Sequence, residues 1–468
     1  MRRLLPLAAL SLLAGCDLAP PYHRPAPPAP ASLPTGGTYP ATASATTQAP
    51  DIAWQDFFVD PALRQVMATG LANNRDLRVA LANVEQARAL YRVQRADQLP
   101  TFSANASATY SRASSAQTLP GADRRSDIYS VNAGLSAFEI DLFGRVRNLT
   151  RAALEQYLAT DEGARATRIT LIAEIASAYL TMAADQDQLQ ISRGTLESYR
   201  QSLELTQAQF RTGVASELEV RQAQTGYEQA RYDIAALQTQ IARDQNALNL
   251  LVGTTVTADL LPAALGEHPF TLAELPAGVG SDVLLQRPDV LQAEHELKAQ
   301  YANIGAARAA FFPQISLTAA AGTLSPALSG LFGNGNGTWS VAPAATLPIF
   351  DFGRNAANLR YAKASRDAAL ATYEKSIQTA FREVADALAE RGTIGEQLAA
   401  RGNRVTAASQ AYRLSDARYR AGVDPFLTTL DAQRTLYGAQ QNLVQTRLDA
   451  ASNLVELYRA LGGGLRSR

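Results

Sequence analysis

Phe102-Ser103-Ala104-Asn105-Ala106-Ser107-Ala108-Thr109-Tyr110 alternates without a break between apolar and small polar residues. That is the period of a β-strand whose two faces meet different surroundings. A second run follows, in which Tyr129, Val131, Ala133, Leu135 and Ala137 alternate with Ser130, Asn132, Gly134 and Ser136. Far along the chain, Ile315, Leu317 and Ala319 alternate with Ser316 and Thr318, and Trp339, Val341, Ala345, Leu347 and Ile349 form one face of a run that Pro343 interrupts. The connections, Ala113 to Asp127 and Ser325 to Gly337, are rich in serine, glycine and asparagine. Strands of about ten residues, apolar on one face and small and polar on the other, are the pattern of outer-membrane barrels. Four such strands cannot close a barrel, because closure starts at about eight. Open edges in lipid would cost several kcal/mol per unpaired amide, so several subunits must share one barrel.

Outward from the strands, the chain carries one plan twice. Asn74-Arg75-Asp76-Leu77 opens a helical stretch ending at Leu99-Pro100, and Arg287-Pro288-Asp289-Val290 opens another ending at Phe312-Pro313. Each closing proline stands 24 residues beyond its aspartate. Each strand pair is followed by a matching element, Ile140-Asp141-Leu142-Phe143-Gly144-Arg145 first and Phe350-Asp351-Phe352-Gly353-Arg354 second. Phe210-Arg211-Thr212-Gly213-Val214 returns as Tyr419-Arg420-Ala421-Gly422-Val423, and Ala223-Gln224 as Ala432-Gln433, both at an offset of 209 residues. Recurrence in this order marks a tandem duplication, spanning 61–261 and 274–461.

The flanking helices are too long for a globular domain. From Val146 to Arg211 no proline interrupts the helical pattern, and Gly163 and Gly194 are its only weak points. Such a stretch gives about 100 Å of helix. Leu189, Leu196, Leu203 and Phe210 recur every seventh residue. On the return helix Ala223, Tyr227, Ala230, Ile234, Leu237, Ile241, Leu248 and Leu251 recur at steps of three and four, with Asp244 filling one gap. Sustained heptads signal coiled-coil packing. The last helix carries two seams: Leu436, Leu443, Ala450, Leu454, Leu457 and Leu461, and beside them Tyr437, Val444, Leu448, Ala451, Val455 and Tyr458. A helix in the wall of a tube has a neighbour on each side and needs both.

Of 468 residues, Lys plus Arg and Asp plus Glu number 43 each, which gives no electrostatic footprint for nucleic acid. Arg2, Arg3 and the apolar run Leu4 to Leu13 read as a signal peptide over 1–15, too short to span a bilayer. The run ends in Leu13-Ala14-Gly15-Cys16, which resembles a lipobox, and Cys16 is the only cysteine. Cys16 is therefore the expected acyl anchor; an internal disulfide is impossible. Asp17 resembles the inner-membrane retention code of enteric lipoproteins, so the address must come from the strands. Residues 16–60, rich in Pro, Ala, Thr and Gly from Pro20 to Pro50, read as an extended tether, and 462–468 as a disordered tail.

Signals for catalysis are weak. His23, His268 and His295 lie far apart without ligand spacing, so no metal site is expected. Gly333-Asn334-Gly335-Asn336-Gly337 lacks a phosphate-loop lysine and sits where a hairpin tip belongs. The Asp-Phe-Gly element is shared with kinases but falls at a strand-to-helix junction, in duplicate, where its glycine is expected to make a turn. No nucleophile, base and metal set converges, so neither an enzyme nor a cofactor is expected. A competing reading is a periplasmic adaptor lipoprotein, which would show one helical hairpin flanked by small β domains.

From Cys16 to Leu461 the chain resembles the TolC family of outer-membrane efflux channels, within it the lipidated OprM- and NodT-like members. The resemblance rests on Gly15-Cys16-Asp17-Leu18-Ala19-Pro20-Pro21-Tyr22-His23-Arg24-Pro25, on Gly422-Val423-Asp424 and on Leu430-Asp431-Ala432-Gln433-Arg434. It implies a homotrimer, with a twelve-stranded barrel continued by an α-helical coiled-coil barrel. It also implies a passive duct in the outer membrane that receives substrate from an inner-membrane pump through a periplasmic adaptor. Leu427 and Asp431 match its aperture-lining positions, and Tyr419, Arg434 and Glu219 match positions that hold the closed state. Four residues apart on one helix face, Leu427 and Asp431 would give a trimer a leucine ring beside a carboxylate ring, the first obstructing by dewetting and the second favouring cations. Tyr419 is expected to donate its hydroxyl to Glu219, and Arg434 to pair with a nearby carboxylate. Some members carry a second aspartate where this chain has Thr428.

Overall fold

The computed structural model describes residues 17–40, 52–114, 116, 123–266, 270–272 and 281–463; the expected signal peptide, Cys16 and residues 464–468 lie outside them. In chain order the elements are α1 (Trp54–Phe57), α2 (Pro61–Asn73), α3 (Arg75–Ala96), β1 (Phe102–Arg112), β2 (Arg125–Glu139), α4 (Arg145–Arg211), α5 (Glu217–Val252), α6 (Pro288–Ala309), β3 (Gln314–Ser325), β4 (Gly337–Thr346), α7 (Arg354–Arg420) and α8 (Phe426–Ala460). The order helix, two strands, two long helices occurs twice, and α4 and α7 are each 67 residues long. Among the described residues no helix is long and apolar enough to cross a membrane.

The chain divides into two compact units. The first comprises Met1–Ala26, Asn83–Asp161 and Gln292–Tyr373. Its sheet is antiparallel in the order β1-β2-β3-β4. The register puts Ala106 opposite Val131, Val131 opposite Thr323, Ala321 opposite Trp339 and Ala319 opposite Val341, so one apolar face runs across all four strands. Ser107 and Ser130 hydrogen bond at 2.8 Å on the opposite, polar face. A bulge between Leu135 and Phe138 breaks the alternation, with Ala137 at φ +48°. β4 ends at Thr346, so the expected run to Ile349 is too long: Leu347 and Ile349 lie past the last ladder pair. Pro343 stays inside β4, opposite Leu317 of β3, at the cost of one amide donor. Trp339 is 80% exposed on that face in the single chain.

Each Asp-Phe-Gly-Arg element makes a strand-to-helix turn. Gly144 (φ +77°) and Gly353 (φ +86°) adopt the left-handed conformation that glycine takes without steric cost. Asp141 accepts from Arg147 N at 2.8 Å, and Asp351 from Gly353 N and Asn355 N, both at 2.9 Å, satisfying helix N-terminal donors. Alanines pack α4 against α6, with Ala152, Ala299 and Ala302 in one cluster. The N-terminal segment is tied down here. Glu294, nearly buried, accepts from Tyr22 Oη at 3.0 Å and from Arg24 Nε at 3.1 Å, with Lys298 at 3.2 Å. Asp17 accepts from Asn148 and Arg151, both at 2.9 Å.

The second unit comprises Pro27–Ala82, Glu162–Leu291 and Glu374–Arg468. Its core gathers Phe57, Phe58, Leu63, Met67, Ile175, Leu180 and Leu248, all fully buried. The Phe57 ring stacks on Tyr458 at 4.1 Å, and Tyr458 donates to Ile52 O at 2.7 Å. On α4 the leucine seam is not the most buried line. Leu196 and Leu203 are half-buried and Phe210 is 47% exposed, whereas Ser192, Tyr199 and Thr206, also seven apart, are buried. Ser192 and Thr206 hold that line because their hydroxyls reach Tyr437 of α8 and Tyr419 of α7, and Tyr199 does so by packing in an apolar cluster with Ala223, Ala230 and Phe426.

Asp244, the gap in the α5 seam, is buried beside Asp185 of α4. Gln240 donates to its Oδ1 at 2.8 Å, while Oδ2 has no donor. Burial first, then the hydrogen bond and charge of Asp244, push the Asp185 carboxyl up to about 7. The folded pair therefore keeps a proton that the unfolded chain releases near pH 4. Stability is full below that range and is lost as the pH rises to about 7. Asp244→Asn takes away the charge of the pair and leaves the burial of Asp185, so it is expected to make this slope shallower and to raise stability at pH 8 by on the order of 1 kcal/mol, after allowance for solvent screening. Parallel melting-temperature profiles for the two proteins between pH 4 and 8 would contradict the shared proton.

Candidate aperture site

The two inter-helix turns repeat one geometry. In the first, Val214 N donates to Gln209 O and Gly213 N to Phe210 O, at 2.9 and 3.0 Å; in the second, Val423 N donates to Arg418 O and Gly422 N to Tyr419 O, both at 2.9 Å. Gly213 (φ +77°) and Gly422 (φ +73°) make both reversals possible. After the first turn, Ser216 and Glu219 form a capping box at the start of α5. After the second, Pro425 occupies the N-cap of α8 without a side-chain bond, and Arg418 holds Asp424 through two bonds of 2.6 and 2.8 Å. That guanidinium keeps the Asp424 carboxyl below its ordinary range.

Leu427 and Asp431 both lie on the exposed face of α8, Leu427 at 51%, with Thr428 also exposed. The opposite face is buried: Phe426, Thr429, Leu430 and Gln433. Phe426 packs on Tyr419 with ring centroids 5.4 Å apart, in a cluster with Tyr199, Ala223, Ala230 and Leu430. Thr429 Oγ1 donates to Ser415 O at 3.0 Å, fastening α8 to α7.

The expected bond from Tyr419 to Glu219 is not formed. Tyr419 donates to Gln209 Oε1 on α4 and lies 3.4 Å from Thr206 Oγ1. Glu219 is committed to its own helix end, accepting from Ser216 N at 2.6 Å, and reaches Tyr419 only as a charge. Burial raises the Tyr419 phenol pKa, a hydrogen bond with Thr206 lowers it, and the Glu219 charge raises it further. Arg434 is exposed and forms no ion pair among the described residues; its charge acts on the buried Tyr199 phenol. Gln209 and Phe426 belong to the site but were not singled out from sequence. The Ser216-x-x-Glu219 capping-box pattern was the available sign that Glu219 had another task.

A four-stranded sheet with a lipid-type face, joined to duplicated helical hairpins of this length, defines a membrane channel component and not an enzyme or an adaptor. The family profile described as "Outer membrane efflux protein" matches residues 67–254 and 279–463. The "Probable efflux pump outer membrane protein TtgC" of Pseudomonas putida is 48% identical over 465 residues, covering 99% of this chain and 96% of that protein. Among solved structures, a Pseudomonas aeruginosa membrane protein superposes with TM-score 0.89 at 42% identity, covering 96% of this chain and 98% of that one. The open state of the Neisseria gonorrhoeae MtrE outer membrane channel does so with TM-score 0.86 at 37% identity, covering 96% and 99%. The chain belongs to the outer membrane efflux protein family, that of the TolC channels. It is an outer-membrane channel protein of efflux.

Proposed function

We propose that three copies of this chain assemble into one passive duct, anchored by acylated Cys16, that takes substrate from an inner-membrane pump through a periplasmic adaptor. The observation that carries the reading is the open sheet: β1 and β4 each pair on one side only, and every residue of both strands is exposed. Unpaired strands in lipid require partners, and three sets of four close a barrel of ordinary size. Leu427 and Asp431 of the three copies form the aperture; Tyr419, with Gln209, and Arg434 hold it shut. Glu219 acts by fixing the start of α5 and by its charge near Tyr419. Arg434, without a carboxylate partner among the described residues of its own chain, takes its partner from a neighbouring copy.

The test is purification from outer membranes, with trimers expected on unheated gels and monomers after boiling. In planar bilayers the wild type is expected to be nearly closed. Tyr419→Phe, which removes one buried hydrogen bond of about 1 kcal/mol, and Arg434→Ala are each expected to raise the open fraction several-fold. Conductance unchanged in both variants would count against the assignment of these residues to closure. A monomer that stays monomeric in lipid would refute the shared barrel.

A further inference from the structure

Asp17 resembles an inner-membrane retention code, yet the chain belongs to an outer-membrane family. The fold shows where its charge goes. Asp17 Oδ1 accepts from Ala19 N at 3.0 Å and from Asn148 Nδ2 at 2.9 Å, and Oδ2 accepts from Arg151 Nη1 at 2.9 Å. Asn148 is 1% exposed, and its Nδ2 also donates to Gly144 O at 2.8 Å, which aims the amide. Burial pulls the Asp17 carboxyl pKa up, but the bonds from Asn148, Ala19 and Arg151 outweigh it and hold the group below the ordinary carboxylate range. Asp17 is therefore ionised, with both oxygens engaged and a guanidinium against its charge. The seat is shaped for this segment. Arg308 of α6 donates to Leu18 O at 3.0 Å. Where the segment crosses α6 stands Gly305, and a Cβ there would lie 2.8 Å from Ala19 N. Further along, Glu294 holds Tyr22 and Arg24.

Asn148 and Arg151 stand 131 and 134 residues beyond Asp17, so an unfolded chain has neither contact. We propose that Asp17 is an address that folding cancels. In the unfolded chain its carboxylate stands free beside the acylated Cys16 and keeps the chain in the inner membrane. Once α4 and α6 pack, Asn148 and Arg151 take up that carboxylate and the chain is released towards the outer membrane. Only folded copies then arrive where open strand edges must find partners. The Asp17 side chain is 43% exposed, so cancelled charge and fixed position, not burial, silence it. The inference rests on the acylation of Cys16 proposed above.

The full-length protein is made in an enteric host, labelled with radioactive palmitate, and its membranes are separated on a density gradient. The wild type is expected in the outer membrane. Arg151→Ala removes an exposed ion pair of little weight in stability and frees the Asp17 charge. Gly305→Ala alters no charge but displaces Ala19, and alanine suits a helix interior better than glycine does. Each variant is expected to shift labelled protein to the inner membrane. Adding Asp17→Ser to either is expected to return it to the outer membrane. Both single variants staying with the wild type, or a wild type held in the inner membrane, would overturn the proposal. So would a shift that Asp17→Ser does not reverse, because it would mark a folding defect and not a read address. Wild-type protein without palmitate would instead remove the anchor proposed above, and this inference with it.

Discussion

Phe426→Ala is expected to cost about 3–4 kcal/mol and to leave the duct leaking. The side chain is 1% exposed and is the wall on which the Tyr419 ring rests. Truncation opens a cavity that the neighbouring Ala223 and Ala230 are too short to fill. Tyr419 then loses the packing that aims its hydroxyl at Gln209, so a packing change reaches the hydrogen bond between α7 and α4. Denaturant unfolding would measure the first effect and bilayer conductance the second. Lost stability with wild-type conductance would make Phe426 a packing residue only. Phe426→Leu, which keeps most of the volume, is expected to fall between the two.

A comparable loss, about 3–5 kcal/mol, is expected for Arg287→Ala. The guanidinium is 5% exposed and serves three partners. It donates to both Asp289 oxygens at 3.0 and 2.7 Å, to Glu383 at 2.9 Å and to Ala460 O, at the end of α8, at 2.7 Å. Removing it leaves the helix-end carbonyl of Ala460 without this donor and the half-buried Glu383 with only Arg459, 3.4 Å away. Arg287→Lys is expected to recover less than half of the loss, because a point charge cannot serve three directions at once. A lysine variant as stable as the wild type would show that charge alone suffices. Thermal unfolding of the assembled protein decides it.

The Arg287-Pro288-Asp289 stretch also shows how far the sequence could be read. Its match to Asn74-Arg75-Asp76 located the repeat, because duplication leaves fixed spacings that survive substitution. Nothing in that spacing says that Arg287 reaches Ala460, 173 residues away. The strands were legible from alternation, yet Leu347 and Ile349 were assigned to the last one. Apolar alternation continues past the final ladder pair, and only hydrogen bonding ends the strand. The long helices were legible from their heptads, but the leucines drew attention from Ser192, Tyr199 and Thr206. A hydroxyl buried through a partner more than 200 residues away, as Ser192 is with Tyr437, has no local signature. At the proposed aperture, Leu427 and Asp431 share the exposed face of α8, as their spacing implied. The partner of Tyr419 was misread because Glu219 was weighed as a free carboxylate and not as a helix cap.

The equal length of α4 and α7 bears on how such a gene can change. Deleting one residue from either helix turns everything beyond it by about 100°. In α4 that would carry Tyr199 and Thr206 off the faces that meet Phe426 and Tyr419. Seven residues restore the phase, but they shift one turn of the duplicated pair along the axis by about 10 Å and leave the other behind. Length can therefore drift only in whole heptads, taken from both arms of a hairpin and matched in the other hairpin. Alignments of descendants should show each gap in α4 repeated 209 positions on in α7, with companion gaps in the return helices α5 and α8.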